Sequence, residues 1–140
     1  MNYEDLANEL IKLQKSVFFM QEHRVQYREE QGEMLALNFI LSRGGHAYQK
    51  EICEKLNISR ARNVNLLKQL ERKDYIVREP DIEDGRQYII RLTEKGKKFT
   101  MDGRKAKLNK TIALLQYLGE ADAKEYVRLQ QKIAKYTIEN

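Results

Sequence analysis

The sequence predicts a mainly α-helical protein with a small β-hairpin, an α+β arrangement that contains a helix-turn-helix. Apolar residues recur every three or four positions along most of the 140 residues, which is typical of amphipathic helices. Two short runs between residues 75 and 92 are instead rich in β-branched and aromatic residues, and an Asp-Gly dipeptide lies between them. A serine that precedes a helix with a polar outer face completes the pattern. We therefore expect a single domain over residues 1–140.

The first part of the chain predicts three helices. Helical spacing extends from Tyr3 to about Tyr27, and the polar stretch 28–32 interrupts it. A second helix then ends at Gly44-Gly45, because consecutive glycines stop a helix. A short third helix follows from about Tyr48 to Leu56, and His46, which lies between the two helices, is expected in a loop.

The fourth predicted helix, from about Arg60 to Lys73, has two unlike faces. A tight turn of three residues precedes it, and the last of these, Ser59, is a natural N-cap. At about 100° per residue, Leu66, Leu67 and Leu70 cluster on one side of the helix. The opposite side is basic or amide-bearing apart from one alanine, and it contains no acid: Ala61, Arg62, Asn65, Lys68, Gln69 and Arg72.

A two-stranded hairpin is predicted next. Its strands are the β-rich runs 75–78 and 87–92. The segment between them holds the only proline of the chain and the turn dipeptide Asp84-Gly85. The hairpin therefore carries Arg86 at its tip.

Two further helices complete the predicted fold. Thr93 is the expected N-cap of a long helix that runs to about Leu118, where Gly119 breaks the chain. The last helix carries an apolar stripe of Tyr126, Leu129, Ile133 and Tyr136. We expect the aromatic residues of this part to pack between helices, namely Phe99, Tyr117, Tyr126 and Tyr136.

The charge distribution is compatible with a nucleic-acid partner. The formal charge is +5, and residues 59–110 carry net +7 while 1–58 carry −2 and 111–140 carry zero. A basic surplus confined to one segment suits a phosphate backbone, because each contact between a Lys or Arg and a phosphate releases condensed counterions. A solvated helical surface of mixed charge explains the same numbers equally well.

Composition also indicates the cellular location of the protein. One cysteine excludes an internal disulfide, and no apolar run approaches the length of about 18 residues that a membrane span needs. The first residues are acidic, whereas a signal peptide begins with basic residues. We expect a cytoplasmic protein without membrane contact.

The third and fourth helices with the hairpin form a helix-turn-helix followed by a wing, and this unit suits double-stranded DNA. The major groove admits one α-helix, where arginine reads guanine and asparagine or glutamine reads adenine. Arg62, Asn65 and Gln69 lie one and two turns apart on the outer face and are expected to reach bases. Ser59 and Arg60 lie at the amino end of the helix, where exposed N–H groups attract phosphate.

Specific motifs make the chain resemble the MarR family of bacterial winged-helix transcription regulators. They are the run from Gln49 to Leu56, the run from Leu70 to Arg78, and above all Asp84-Gly85-Arg86 followed by Leu92-Thr93-Glu94-Lys95-Gly96. The order of elements matches from about residue 3 to residue 138.

The resemblance implies an architecture and a partner. Members are homodimers, so the first and last helices (residues 1–30 and 112–140) are expected to form a dimerisation region, and residues 31–100 a winged DNA-binding lobe. Members bind a palindromic operator, mostly as repressors, and many respond to a small phenolic or lipophilic effector. In this chain Asp84 is then expected to brace the wing and Arg86 to enter the minor groove. The expected phosphate contacts are Ser59, Arg60, Lys68 and Arg72.

Three positions depart from the family pattern. Asn63 stands where an apolar residue usually faces the helix-turn-helix core, and Asn65 replaces a position that is often basic or hydroxylated. Asp74 stands where a glycine usually ends the recognition helix, and aspartate tolerates the unusual backbone angles of that position better than most residues.

Alternative roles remain open for several residues. Cys53 is expected to be a small buried packing residue, although some relatives use cysteine as a redox sensor. His23 with Glu22 or Glu33 is the best available metal set, and it is too sparse to predict a site. An effector pocket could be lined by Phe18, Phe19, His23, Tyr27 and Phe39, but aromatic residues at helical spacing are more often core.

The competing function is a winged module that binds proteins without DNA, and a metal- or thiol-switched regulator is a further variant. No nucleophile–base pair, acid pair or phosphate loop stands out in the sequence. We therefore predict neither an enzyme nor a cofactor.

Overall fold

The computed structural model describes residues 2–16 in full, residues 17–19 by their backbone, and residues 29–140 in full. Within these ranges six helices and three strands follow one another along the chain. They are α1 (Tyr3–Phe19), α2 (Glu29–Ser42), β1 (His46–Tyr48), α3 (Gln49–Leu56), α4 (Arg60–Arg72), β2 (Ile76–Pro80), β3 (Tyr88–Leu92), α5 (Glu94–Leu118) and α6 (Glu120–Glu139). The predicted mainly α fold with a helix-turn-helix and a wing is confirmed.

The described residues form two compact units. Residues 2–19 and 103–140 make one, which we call the helical unit, and residues 29–102 make the other, the winged unit. In the helical unit α1 packs on α6 around a small core of Ala7, Leu10, Leu115, Ala123 and Val127. The core of the winged unit is larger and draws on α2 to α4 and on all three strands: Ala36, Leu37, Ile40, Ala47, Ile52, Leu56, Ile58, Leu67, Leu70, Ile76 and Ile90.

The start of α2 differs from the prediction. The stretch 28–32 was expected to interrupt the helical pattern, but α2 begins at Glu29 and includes Gly32, which is buried. Glu29 and Glu30 suit a first helical turn, because acidic side chains are favourable near the positive end of the helix dipole. The predicted continuation of α1 to Tyr27 lies outside the described residues.

The wing contains one more strand than predicted. The sheet is antiparallel with the order β1-β3-β2, so β3 pairs on both sides and Ile90 lies opposite Ala47 and Arg78. His46 therefore lies in a strand, opposite Arg91, and the prediction of a loop at this position was wrong. A strand of three residues has almost no alternating pattern of its own, and only its pairing with β3 defines it.

Local caps set the ends of the helices as the sequence predicts. The Ser59 hydroxyl accepts a hydrogen bond from the Arg62 N–H at 3.1 Å, and the Thr93 hydroxyl accepts one from the Gly96 N–H at 2.9 Å. Asp74, in place of the usual glycine, adopts a left-handed conformation with φ of 63°. Gly96 allows α5 to approach Tyr75, because a Cβ at this position would overlap the Tyr75 carbonyl group.

The aromatic residues divide into packed and exposed ones. Phe99 stacks on Tyr75 with ring centroids 4.4 Å apart, and Tyr126 packs against the core of the helical unit. Tyr117 and Tyr136 are 89% and 68% exposed, so the prediction that they pack between helices is wrong for this chain alone. The positions that α6 buries are small or β-branched, namely Ala123, Val127 and Ala134. Among the described helices, none is long and apolar enough to cross a membrane.

Candidate nucleic-acid interface

The amino end of α4 is open to solvent and free of acidic residues. Ser59 and Arg60 are both exposed, and the first turn of α4 carries no carboxylate. The Ser59 hydroxyl satisfies the N–H of Arg62, while the other amides of the first turn lack helical acceptors by the geometry of any helix start. Such an end attracts anions, and it suits a phosphate group.

The predicted outer face of α4 points away from the core. Asn65, Lys68, Gln69 and Arg72 are exposed together with Ala61, while Arg62 is half-buried. The buried face consists of Asn63, Leu67 and Leu70, and Leu66 is half-buried beside it. The side chains that the sequence assigns to bases and phosphates thus share one solvent-facing surface of the winged unit.

Two acids of α2 lie beside this surface, which the helical wheel of α4 alone does not reveal. Glu29 and Glu33 line an open groove together with Arg62, Asn65 and Gln69. Lys73 binds Glu33 at 2.7 Å, and this hydrogen bond raises the pKa of Lys73 above its ordinary value. Because Lys73 offsets the charge of Glu33, the repulsion that this carboxylate exerts on a nearby phosphate is reduced.

Asn63 connects the two helices of the helix-turn-helix. Only 2% of it is exposed, and its Nδ2 donates to the Gln49 carbonyl oxygen at 3.1 Å. Its Oδ1 is also buried and has no hydrogen-bond partner among the described residues. The position is therefore a core position, as the family pattern implies, but a polar side chain fills it.

The turn of the wing is ordered by Asp84. One of its carboxylate oxygens accepts from the Arg86 N–H at 3.1 Å, and the other accepts from the Gln87 side chain at 3.4 Å. The Arg86 side chain is 97% exposed, and its Nε lies 3.8 Å from Asp84 Oδ1. The tip of the wing therefore presents the cationic side chain of Arg86 on a backbone that Asp84 orders, the form that a narrow, electronegative minor groove attracts.

Contacts that sequence reasoning did not predict hold the base of the wing. The Tyr48 hydroxyl donates to Asp81 at 3.1 Å, and this bond to a carboxylate raises the pKa of Tyr48. Arg78 donates from Nε to the Gln49 side chain at 3.0 Å, and its guanidinium lies 3.7 Å from the centre of the Tyr88 ring. The partners of the two hydrogen bonds are 33 and 29 positions apart in the chain, so no local pattern indicates them.

The basic surplus of residues 59–110 is not confined to the helix-turn-helix and wing. Seven of its fifteen basic residues lie on α5, all of them exposed: Lys95, Lys97, Lys98, Arg104, Lys105, Lys107 and Lys110. Net charge along the sequence therefore overstates the charge of the predicted interface.

The residues considered for sensing roles have ordinary surroundings where they are described. Cys53 is only partly buried, and its Sγ donates to the Ile58 carbonyl at 3.2 Å. The described residues contain no cluster of three potential metal ligands. His23, Tyr27 and the side chains of Phe18 and Phe19 lie outside the described residues, while Phe39 is half-buried in α2.

A helix-turn-helix followed by a β-hairpin, whose second strand also pairs with a short strand before the helix-turn-helix, defines the winged-helix class of proteins. The model of the MarR family matches residues 30–87, which span α2 to the turn of the wing. This match and the fold confirm the resemblance to MarR-family winged-helix regulators that the wing motif indicates. A search of curated proteins found no significant match.

Several solved structures share the fold at low identity. The PcaV transcriptional regulator from Streptomyces coelicolor is 19% identical, with a TM-score of 0.64 over 92% of this chain and 94% of that chain. MepR, a transcription regulator from Staphylococcus aureus, is 21% identical, with a TM-score of 0.67 over 89% and 88%. The YusO protein from Bacillus subtilis is 20% identical, with a TM-score of 0.64 over 89% and 85%.

Proposed function

We propose that this protein is a homodimeric, DNA-binding transcriptional regulator, a repressor that binds a palindromic operator. The observation that carries the proposal is the exposed polar face of α4, which begins at a capped, acid-free helix end. The exposed Arg86 at the tip of an ordered wing supports it, because the two features suit a major and a neighbouring minor groove. A role on DNA implies a cytoplasmic location and requires no catalytic residue or cofactor.

The proposed contacts follow from position along α4. Arg62, Asn65 and Gln69 contact base edges, since their side chains have the donor and acceptor groups that read guanine and adenine. Arg86 enters the minor groove, with Asp84 as the brace of its turn. The phosphate contacts are Ser59, Arg60, Lys68 and Arg72, at the start of α4 or along its outer face.

A homodimer is supported by the apolar surface of the helical unit. Leu129, Ile133 and Tyr136 are spaced by one helical turn on α6, and all are exposed. Leu114 and Tyr117 form a second exposed pair on α5. Apolar side chains exposed in such rows mark protein contacts. We propose that the same surface of a second copy covers them, within a dimerisation region of residues 1–30 and 112–140.

A small-molecule effector is part of the proposal. One PcaV structure was solved in complex with its natural ligand, and MepR is described as a regulator of the multidrug efflux pump MepA. By analogy we propose a small phenolic or lipophilic effector for this protein.

The decisive experiment is the selection of bound duplexes from random DNA with the full-length protein, followed by a salt titration of the enriched sequence. We expect a palindrome whose half-sites lie about 10 base pairs apart, as two symmetric recognition helices require. Affinity should fall steeply with salt, by about a thousandfold or more between 50 and 200 mM for six or more phosphate contacts. A pool that stays random would refute the proposal.

The wing also gives one reason to test a protein partner. Ile82 is fully exposed on the hairpin, and Val77 on β2 is exposed as well. A wing that binds another protein through such residues should show a shallow salt dependence and no enriched DNA sequence. The same selection and titration therefore separate the two functions.

A further inference from the structure

Gln49, the first residue of α3, contacts both of the elements that we propose to read DNA. Its backbone carbonyl accepts a hydrogen bond from Asn63 of α4 at 3.1 Å. Its side-chain Oε1 accepts a hydrogen bond from Arg78 of β2 at 3.0 Å. One residue thus joins the recognition helix to the wing.

The connection continues to the strand that carries the tip of the wing. The guanidinium of Arg78 lies over the ring of Tyr88, with 3.7 Å between its central carbon and the ring centroid. Tyr88 begins β3, two residues after Arg86. A cation held between an amide oxygen and an aromatic face has a defined position, because both contacts favour the same placement. The path α4–Gln49–Arg78–Tyr88 therefore ends next to the wing tip.

A second bond supports the same junction. The hydroxyl of Tyr48, one residue before Gln49, donates to Asp81, the residue directly after β2, at 3.1 Å. The Glu51 carboxylate in turn accepts from the Tyr48 N–H at 3.1 Å and fixes the start of α3. The start of α3 is thus attached to the wing at two points and to the recognition helix at one.

From this geometry we infer that Gln49 is a positioning residue that sets the wing relative to the recognition helix, so that Arg86 reaches the minor groove while α4 occupies the major groove. The inference rests on the proposed function. Binding sites lose affinity when their supporting contacts allow a displacement of about 1 Å, so the loss of this support should weaken DNA binding through Arg86 alone.

The test is a set of double-mutant cycles on the selected operator. Gln49→Ala removes the side-chain acceptor, keeps the backbone carbonyl and introduces a good helix former, and we expect about five-fold weaker DNA binding. In an Arg86→Ala background the same change should have less than a two-fold effect, while in a Lys68→Ala background the full loss should remain. Gln49→Glu, which keeps an acceptor for Arg78, should restore affinity, and the neighbouring Lys50→Ala serves as the control.

A measurement without DNA tests the bond itself. In ¹⁵N NMR spectra of the free dimer, the Arg78 Nε–H should exchange slowly in the wild type and in Gln49→Glu, and fast in Gln49→Ala. Fast exchange in the wild type would overturn the inference whatever the protein binds. Equal losses from Gln49→Ala in the presence and absence of Arg86 would overturn it while leaving the proposed function intact. A wild-type protein that selects no DNA would overturn both.

Discussion

The winged unit and the helical unit bury their apolar residues to different extents. The winged unit has a continuous core that includes Leu37, Ile52, Leu70 and Ile90, all of them fully buried. The helical unit has a small core, and large apolar side chains on both of its long helices remain in solvent, with Tyr117 the most exposed of them. The winged unit thus buries its large core side chains within one chain, whereas the exposed apolar rows of the helical unit are what we expect of one half of the proposed dimer interface.

The two units also differ in where their polar side-chain contacts lie. In the winged unit, side chains bond backbone groups of other elements, as Asn63 does to Gln49 and Thr93 does to Asp74. In the helical unit, the ion pairs Lys124–Glu120 and Arg128–Glu125 each lie within one turn of α6, and Gln131 of α6 donates a hydrogen bond to Glu9 of α1. Such exposed pairs within one helix contribute little stability. The winged unit therefore combines apolar burial with polar bonds to the backbone of neighbouring elements, whereas the helical unit keeps large apolar side chains exposed, which we propose a second copy covers.

The largest effect is expected on stability, at a tightly packed glycine of the winged unit. Gly96→Ala should lower the free energy of unfolding by about 3 kcal/mol, because its Cβ would overlap the Tyr75 carbonyl group and backbone atoms cannot move aside cheaply. Urea denaturation followed by circular dichroism measures this change. Gly85→Ala is the matched control, since a Cβ at that position meets no atom within 4 Å. Equal stability of the two variants would disprove the close approach of α5 to Tyr75.

The second prediction concerns the exposed apolar surface of the helical unit, which we propose as the dimer interface. Ile133→Glu places a charge in the exposed apolar row of α6, and it should raise the dissociation constant of the dimer at least about 30-fold, equivalent to about 2 kcal/mol. Sedimentation velocity measures the association. Ala121→Glu adds the same charge at an exposed position near the start of α6 and should leave the dimer intact. A wild-type protein that sediments as a monomer at high concentration would contradict the proposal.

The third prediction concerns the exposed cation of the winged unit. Arg86→Ala should cost about 1–3 kcal/mol of affinity for the selected operator, because a minor-groove contact is lost, while the dimer stays intact. Gel-shift titration at fixed salt measures the effect. Arg104→Ala, the same change at an exposed position of α5, is the control and should alter affinity less than two-fold. An unchanged affinity for Arg86→Ala would remove the wing from the DNA interface.

The smallest effect is expected for the buried polar residue of the winged core. Asn63→Leu removes one hydrogen bond to Gln49 but also removes a buried acceptor without a partner, so the free energy of unfolding should change by less than about 1 kcal/mol. Asn65→Leu, on the exposed face of the same helix, controls for the change of residue type. A loss of 2 kcal/mol or more would mean that the Asn63 amide is better satisfied than its described contacts indicate.

Much of the winged unit follows from local sequence. Ser59 and Thr93 cap their helices as predicted, and Asp74 adopts the left-handed conformation that its position requires. Each of these features depends on a residue and its neighbours within a few positions, so a sequence reveals it directly. Strand β1 was missed because its three residues become a strand only by pairing with β3, more than forty positions away.

The candidate site likewise has features that the local sequence predicts and features that it does not. Periodicity alone predicted which side of α4 faces outward, and the exposure of Lys68 and Arg72 agrees with it. The acids beside that face belong to α2, and the bond from Arg78 to Gln49 spans 29 positions, so neither is visible in the pattern of one helix.

The sequence by itself determined the helices, the two strands of the hairpin, the caps of α4 and α5 and the winged-helix class, because these depend on residues close together in the chain. Only the tertiary structure decided which residues of different elements meet: the junction at Gln49, the approach of Gly96 to Tyr75, and the exposure of the apolar row on α6. The physical reason is that an amphipathic pattern predicts which face of a helix is buried, but it does not predict which other surface covers that face. In this protein the winged unit buries most of its large apolar side chains within its own chain, whereas the helical unit leaves apolar rows on α5 and α6 exposed, which we propose a second copy covers.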